Sequence, residues 1–378
     1  MFITLLGGTA VLPLAARTQQ PVMPARKETA MSARTSGGRV PLAAAAAGTF
    51  LLVATYATEA SAHVKWFCAF DVAGQPRGLE NVLCPDFEEL VGLAVAFLML
   101  GCLVDGSALG NDLMRAINQV TGALRANTEI LVRAVCGFFF VSLWTKQGIL
   151  LTPELVTASP FVPWLQLAIA AGMIWRRTMP LSGLGIVLLF GLAVRDYGIF
   201  HLADYPIFLG IAAYLALVGL QRDLFEMRPL DIARAAAAIT LMWASIEKWA
   251  YPEWTFPLLT VHPSLTLGFN DEFFMRAAGV IEFTLSFALM WTPLVRRASA
   301  IVLAAMFTSA AFEFGQLDVI GHAPIVVVLL AIIGDDAVTV TRPIWFRMAV
   351  PAAYCIALAG FLAIYYVVHA LLFGTQIA

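Results

Sequence analysis

The sequence predicts an all-α membrane protein, with about ten transmembrane helices after a signal segment. Two parallel four-helix bundle repeats, with flanking helices, make up the expected architecture. Three observations carry this expectation. Hydrophobic residues are 60% of the chain, charged residues 13%, and the mean hydropathy is +0.83. Soluble domains lie nearer 45–50% apolar and about 25% charged. The apolar residues fall into stretches close to the ~20 residues that cross a bilayer. The arginines, finally, gather in alternate connections. A formal net charge of −2 gives no footing for a nucleic-acid partner, and none is expected.

The chain opens with residues 1–62, which read as a signal segment or a mis-assigned start. Met31 is a plausible second start, Arg34 and Arg39 form a basic region, and Pro41 to Thr55 form an apolar one. Ala60-Ser61-Ala62 then fits a small-x-small cleavage site. On that reading His63 is the mature first residue; an uncleaved first helix is the other reading. Residues 63–86 form a polar extracytoplasmic segment carrying Cys68 and Cys84, expected as a structural disulfide in an oxidising compartment. A redox-active or metal-binding pair is the sharper alternative. An amino-terminal His63 offers an amine and a ring nitrogen to copper, although no second His stands nearby. Cys102, Cys136 and Cys355 fall inside helices as packing residues.

Apolar spans are expected near 87–104, 129–146, 161–175, 181–196, 204–221, 233–250, 273–292, 298–314, 319–334 and 348–372. Residues 87–128 hold a flanking helix and a cytoplasmic loop. Residues 129–232 are the first four-helix unit, 233–347 the second, and 348–378 the last flanking helix. Arg115/Arg125, Arg176/Arg177, Arg222/Arg228/Arg234, Arg296/Arg297 and Arg342/Arg347 occupy alternate connections. Loops 147–160, 197–203, 251–272 and 315–318 hold no Lys or Arg. This positive-inside pattern places both mature termini outside the cytoplasm in a bacterial-type inner (plasma) membrane.

The two units correspond motif by motif. Asp196-Tyr197-Gly198 and Asp204-Tyr205-Pro206 match Glu313-Phe314-Gly315 and His322-Ala323-Pro324. Arg176-Arg177 matches Arg296-Arg297, and Trp144-Thr145-Lys146 matches Ile246-Glu247-Lys248. Four helices per unit is an even number, so the repeat is parallel. Intramembrane charges cost about 2.5–3.5 kcal/mol on insertion scales, so acids at matching depths need a reason. Glu282, Glu313 and His322 are the expected functional residues. Glu247, Lys248, Asp318, His201 and Asp204 support them at the same depth. Adjacent Glu247 and Lys248 cannot share a helix face and are expected to pair with other helices. Such a cluster suits a metal, a proton relay or a quinone head group; the bland reading is interhelical pairing at ~0.6–2 kcal/mol per contact.

The second unit resembles the DoxX/DoxD-like group of four-helix membrane proteins. Gly279-Val280-Ile281-Glu282, the Arg296-Arg297 turn and Glu313-Phe314-Gly315 carry the resemblance, well over roughly 233–335 and weakly over 129–221. It implies a subunit of a quinone-linked or thiol-linked redox complex. The first unit has Ala170 or Ala171 where the second has Glu282, so a single surviving site belongs to the second. The duplication, the flanking helices and the Cys68/Cys84 segment depart from the simple pattern.

Loop 251–272 carries Tyr251, Trp254 and Phe256 beside Trp249, and Pro252, Pro257 and Pro263. It reads as interfacial anchoring, or as a lid with His262 turned inward. The inner halves of the helices read as nearly all apolar, with few exceptions such as Gln166, which argues mildly against a conduction path. No Walker motif, dinucleotide loop, haem-attachment motif or nucleophile elbow occurs. A haem on His201 and His322 stays open. So do three functions: a quinone-linked oxidoreductase subunit within a larger redox complex, a transporter or copper-handling protein, and a non-catalytic scaffold.

Overall fold

The structure, a computed structural model, describes Lys65, residues 68–336 and residues 344–377. The signal-segment reading and the copper reading of His63 fall outside these residues. Among the described residues there are no named strands, only the isolated bridges Ile149–Val156 and Leu224–Met227.

Eleven long helices carry the fold: α1 Pro85–Asp105, α2 Ala108–Ala126, α3 Thr128–Lys146, α4 Phe161–Gly172, α5 Met179–Tyr197, α6 Pro206–Leu220, α7 Pro229–Ala250, α8 Asp271–Ala288, α9 Pro293–Phe314, α10 Gln316–Gly334 and α11 Val350–Phe373. Each of the ten apolar stretches is helical. Six helices (α1, α3, α5 with its preceding turn, α7, α10 and α11) are long and apolar enough to cross a membrane. The rest differ for visible reasons. α8 carries Asp271, Glu272, Arg276 and Glu282, and α9 buries Arg296 and Arg297. α6 has 15 residues and α4 only 12, about 18 Å of helix against ~30 Å of hydrocarbon.

α4 is short because the chain before it folds inward. Leu150, Leu151 and Leu155 of loop 147–160 are fully buried. The Gln166 side-chain amide, itself buried, donates to the carbonyls of Ile149 (2.6 Å) and Leu150 (3.0 Å). Those carbonyls lack helical partners, and the amide satisfies them. A lone buried Gln in an apolar helix is thus the fastening of a tucked loop.

The chain order of packing is simple. α3, α4, α5 and α6 pack consecutively, α6 lies against α7, and α7, α8, α9 and α10 follow. α10 returns to pack on α3 and sits at the centre; 83% of its apolar window is buried. α1 and α11 flank the bundle, with outward Leu93, Phe97, Ile356 and Leu371. Two glycines mark corners. Gly198 (φ 84°) ends α5, and Gly315 (φ 81°) separates α9 from α10. Positive φ suits glycine and is costly for bulky residues, which explains the shared acidic-aromatic-Gly pattern. Beyond the two corners the chain differs. The first makes a short turn, Ile199–Leu202, and restarts at Pro206; in the second, α10 runs through Pro324.

One helix lies where a loop is expected. Residues 108–126 form α2, started by Ser107, whose hydroxyl accepts from the Gly110 amide at 3.2 Å. α2 is amphipathic. Leu109, Leu113 and Val120 face outward, whereas Asn118 and Thr121 meet the guanidinium of buried Arg297. The Arg297 Nε also donates to the Ile333 carbonyl at 2.9 Å. Beside it, Arg228 binds Asp231 and Asp335, and Arg296 approaches Asp335 at 3.5 Å. This end of the bundle is therefore not apolar as expected. It is a buried ionic layer that joins α2, α7, α9 and α10.

Candidate functional site

At the opposite end the helices enclose a cavity of about 310 Å³. Its walls are mostly apolar, including Phe208, Leu241, Met275, Phe307 and Ile325. Six acidic, basic or histidine side chains break them: Lys65, Asp204, Glu247, Lys248, Glu282 and His322. Each is placed by its element. Asp204 lies in the turn before Pro206 opens α6. Glu247 and Lys248 stand in the last turns of α7. Glu282 is in the middle of α8, and Asp318 and His322 occupy the first turns of α10.

Glu247 and Lys248 point to different partners. The Lys65 ammonium is shared between Asp204, in a very close pair, and Glu247 at 2.7 Å. It sits 5.9 Å from the centre of the Phe70 ring and 5.8 Å from that of Trp254. Lys248 pairs with Glu282 at 2.7 Å across the α7–α8 contact. That contact is close because residue 279 is glycine: a Cβ there would collide with the Trp249 indole, whose N–H donates to the Arg276 carbonyl at 3.2 Å. His322 Nδ1 lies 3.0 Å from Asp318, one turn earlier, and its ring lies 4.9 Å from that of Phe307. Lys65, Asp204, Glu282, Asp318 and His322 are all buried. A buried charge is tolerated only when paired or hydrogen-bonded, and two cations serve three carboxylates here.

Five of the eight expected residues, Glu282, His322, Glu247, Lys248 and Asp204, line this cavity together. Asp318 supports it from behind. Glu313 lies in α9, and its side chain falls outside the described part. His201 does not line the cavity. It is buried among Phe70, Tyr197 and Tyr205, with Nε2 4.0 Å from Glu154. Glu154 in turn accepts from Tyr205 and from Thr152 at 2.9 Å. Among the described residues, His322 lines this cavity and His201 does not, so the cavity does not bring together the pair considered for a haem. Among the described residues no group of three or more His, Cys, Asp or Glu side chains is placed to hold a metal ion.

Loop 251–272 covers the cavity. It folds into the helical turn Pro252–Trp254, the short helix Phe256–Val261 and the turn Pro263–Thr266. Tyr251, Trp254, Thr255, Leu258, Leu259 and Leu265 form part of the wall, and Tyr251 stacks on Trp254 at 4.1 Å. His262 packs edge-on against Phe314 rather than lining the cavity.

The disulfide expectation is corrected: Cys68 and Cys84 are both free thiols. Cys84 is the N-cap of α1. Cys68 is turned toward Leu258 of the covering loop, and burial pushes its thiol above the ordinary range, opposed by a backbone hydrogen bond at Leu258. The segment is held instead by polar contacts. The Tyr251 hydroxyl donates to the Gly74 carbonyl at 2.8 Å, and the Arg77 amide donates to the Ala250 carbonyl at 2.8 Å.

The sequence reading missed Lys65 and Glu154, and named Tyr205 and Trp254 only as part of a motif and of loop 251–272. Lys65 alone left a trace: it is one of only four lysines in the chain, and two of the four line the cavity. No family model matches the chain, and neither the curated proteins nor the solved structures contain a match.

Proposed function

We propose that this protein is a subunit of an inner-membrane redox complex and that its cavity receives the head group of a quinone. The observation that carries the proposal is the convergence of α6, α7, α8 and α10 on one mostly apolar cavity holding Asp204, Glu247, Lys248, Glu282 and His322. An apolar pocket with a few convergent polar groups is the usual form of a small-molecule site. Lys248 and Lys65 offer donors to quinone carbonyls. Glu282, Glu247, Asp204 and His322 offer groups that exchange protons as the quinone gains or loses them. The alternating arginines support an outer-face position for this end, and Glu282, the acid of the segment that resembles the DoxX-like pattern, lines the wall. The paired four-helix units, joined across α6 and α7, are part of the same proposal.

The test is equilibrium binding of decylubiquinone to the detergent-purified protein, followed by tryptophan quenching. Glu282→Gln and His322→Asn keep size and hydrogen bonding but remove titration. Each is expected to weaken binding about ten-fold, the effect of one charge-assisted hydrogen bond. Wild-type affinity in both variants would leave the cluster as structural pairing alone.

A further inference from the structure

A second concavity lies at the arginine end, on the bundle's outer surface between α3 and α4. It is an open groove of about 540 Å³ lined by Ile130, Ala134, Gly137, Phe138, Leu167 and Ala171, among others. It exists because α4 is short and small residues line both helices. One end is basic. Arg133 closes it, donating to the Met173 carbonyl at 2.7 Å and to the Ile174 carbonyl, where α4 ends. Glu129 lies 3.3 Å from Arg133 and 3.6 Å from Arg176, so this carboxylate is shared by two guanidinium groups. Arg177 follows, exposed, with no ion-pair partner among the described residues. Trp175, 63% exposed, stands beside them.

Arg133 lines the groove, while Arg176, whose Nε also donates to the Val218 carbonyl at 3.3 Å, and Arg177 follow Ile174, the last lining residue, by two and three positions; three arginines against one carboxylate thus leave two positive charges next to an apolar trough. Basic pockets between membrane helices suit anionic head groups, and tryptophan marks the headgroup level. We propose that this groove binds one anionic phospholipid, with an acyl chain along Gly137 and Ala171 and the phosphate at Arg176 and Arg177. The equivalent arginines of the second unit, Arg296 and Arg297, are buried and engaged inside the protein, so the site exists once. It is independent of the quinone cavity.

Native mass spectrometry of the full-length detergent-purified protein tests this, titrating phosphatidylglycerol against phosphatidylcholine of the same chains. Wild type is expected to prefer phosphatidylglycerol by at least about ten-fold. Arg176→Gln with Arg177→Gln should erase the preference, since each basic residue near the surface contributes about five-fold. Both side chains are exposed, so the melting temperature should hold. Gly137→Leu fills the trough and should weaken retention of both lipids. Inorganic phosphate at the same concentration should not compete; full competition by phosphate would mark an anion site and overturn the lipid reading. Equal affinities in wild type, a preference that survives the double variant, or a lipid-free dimer that occludes the groove would each overturn it too.

Discussion

Replacing Lys65 with methionine is expected to destabilise the protein by about 3–5 kcal/mol, the usual cost of removing one partner from a buried ion pair. Lys65 is 4% exposed, and its ammonium serves Asp204 and Glu247 together. Without it, two adjacent carboxylates are left side by side in a mostly apolar wall. Thermal melting of the detergent-purified variant reads the loss. The cause is isolated by the triple variant Lys65→Met, Asp204→Asn, Glu247→Gln, which removes all three charges and should recover most of the stability. Replacing a buried ionic cluster as a whole is often nearly neutral. An unchanged melting temperature in the single variant would show that Lys65 is not the counter-ion.

The second large effect is expected at the opposite end. Arg297→Met removes donors from the Ile333 carbonyl, Asn118 and Thr121. Each buried polar group left without a partner costs about 1–3 kcal/mol, so a loss of about 2–4 kcal/mol is expected. It should be local as well as global. α2 is held partly through those contacts, so its amide hydrogens should exchange faster than those of α10. Arg177→Met, in the other double-arginine turn, should stay within about 0.5 kcal/mol of wild type, as exposed substitutions do. Equal losses at both positions would contradict the contrast between the buried and the exposed arginine.

Particular residues show where the sequence was readable. Helical membrane character follows from composition, and each apolar stretch became a helix. Its length was less readable. Residues 161–175 look like a span, but α4 stops at Gly172, where the carbonyls of Gly172, Met173 and Ile174 accept from Thr178 and Arg133 instead of from a further helical turn. α2 was invisible as a helix because an apolar-stretch search passes over an amphipathic segment bearing Asn111, Arg115, Asn118 and Arg125. The corner glycines Gly198 and Gly315 were readable because one backbone requirement recurs at both. At the site, Glu282, His322, Glu247, Lys248 and Asp204 were legible from depth. Lys65 was not, since its partners are 139 and 182 residues away and no local pattern encodes them. Cys68 and Cys84 show the converse. Two cysteines in one polar segment suggest a bond, yet bonding needs a specific Cα and Cβ geometry that spacing does not supply.

The central claim is that the cavity between α6, α7, α8 and α10 receives a quinone head group. Photo-labelling with an azido-quinone, followed by peptide mapping of the purified full-length protein, tests it most directly. Label is expected within residues 204–208, 240–259, 274–282 and 306–325, displaced by excess decylubiquinone and reduced in Glu282→Gln. Label spread over the outward faces of α1 and α11, undiminished by the competitor, would contradict it.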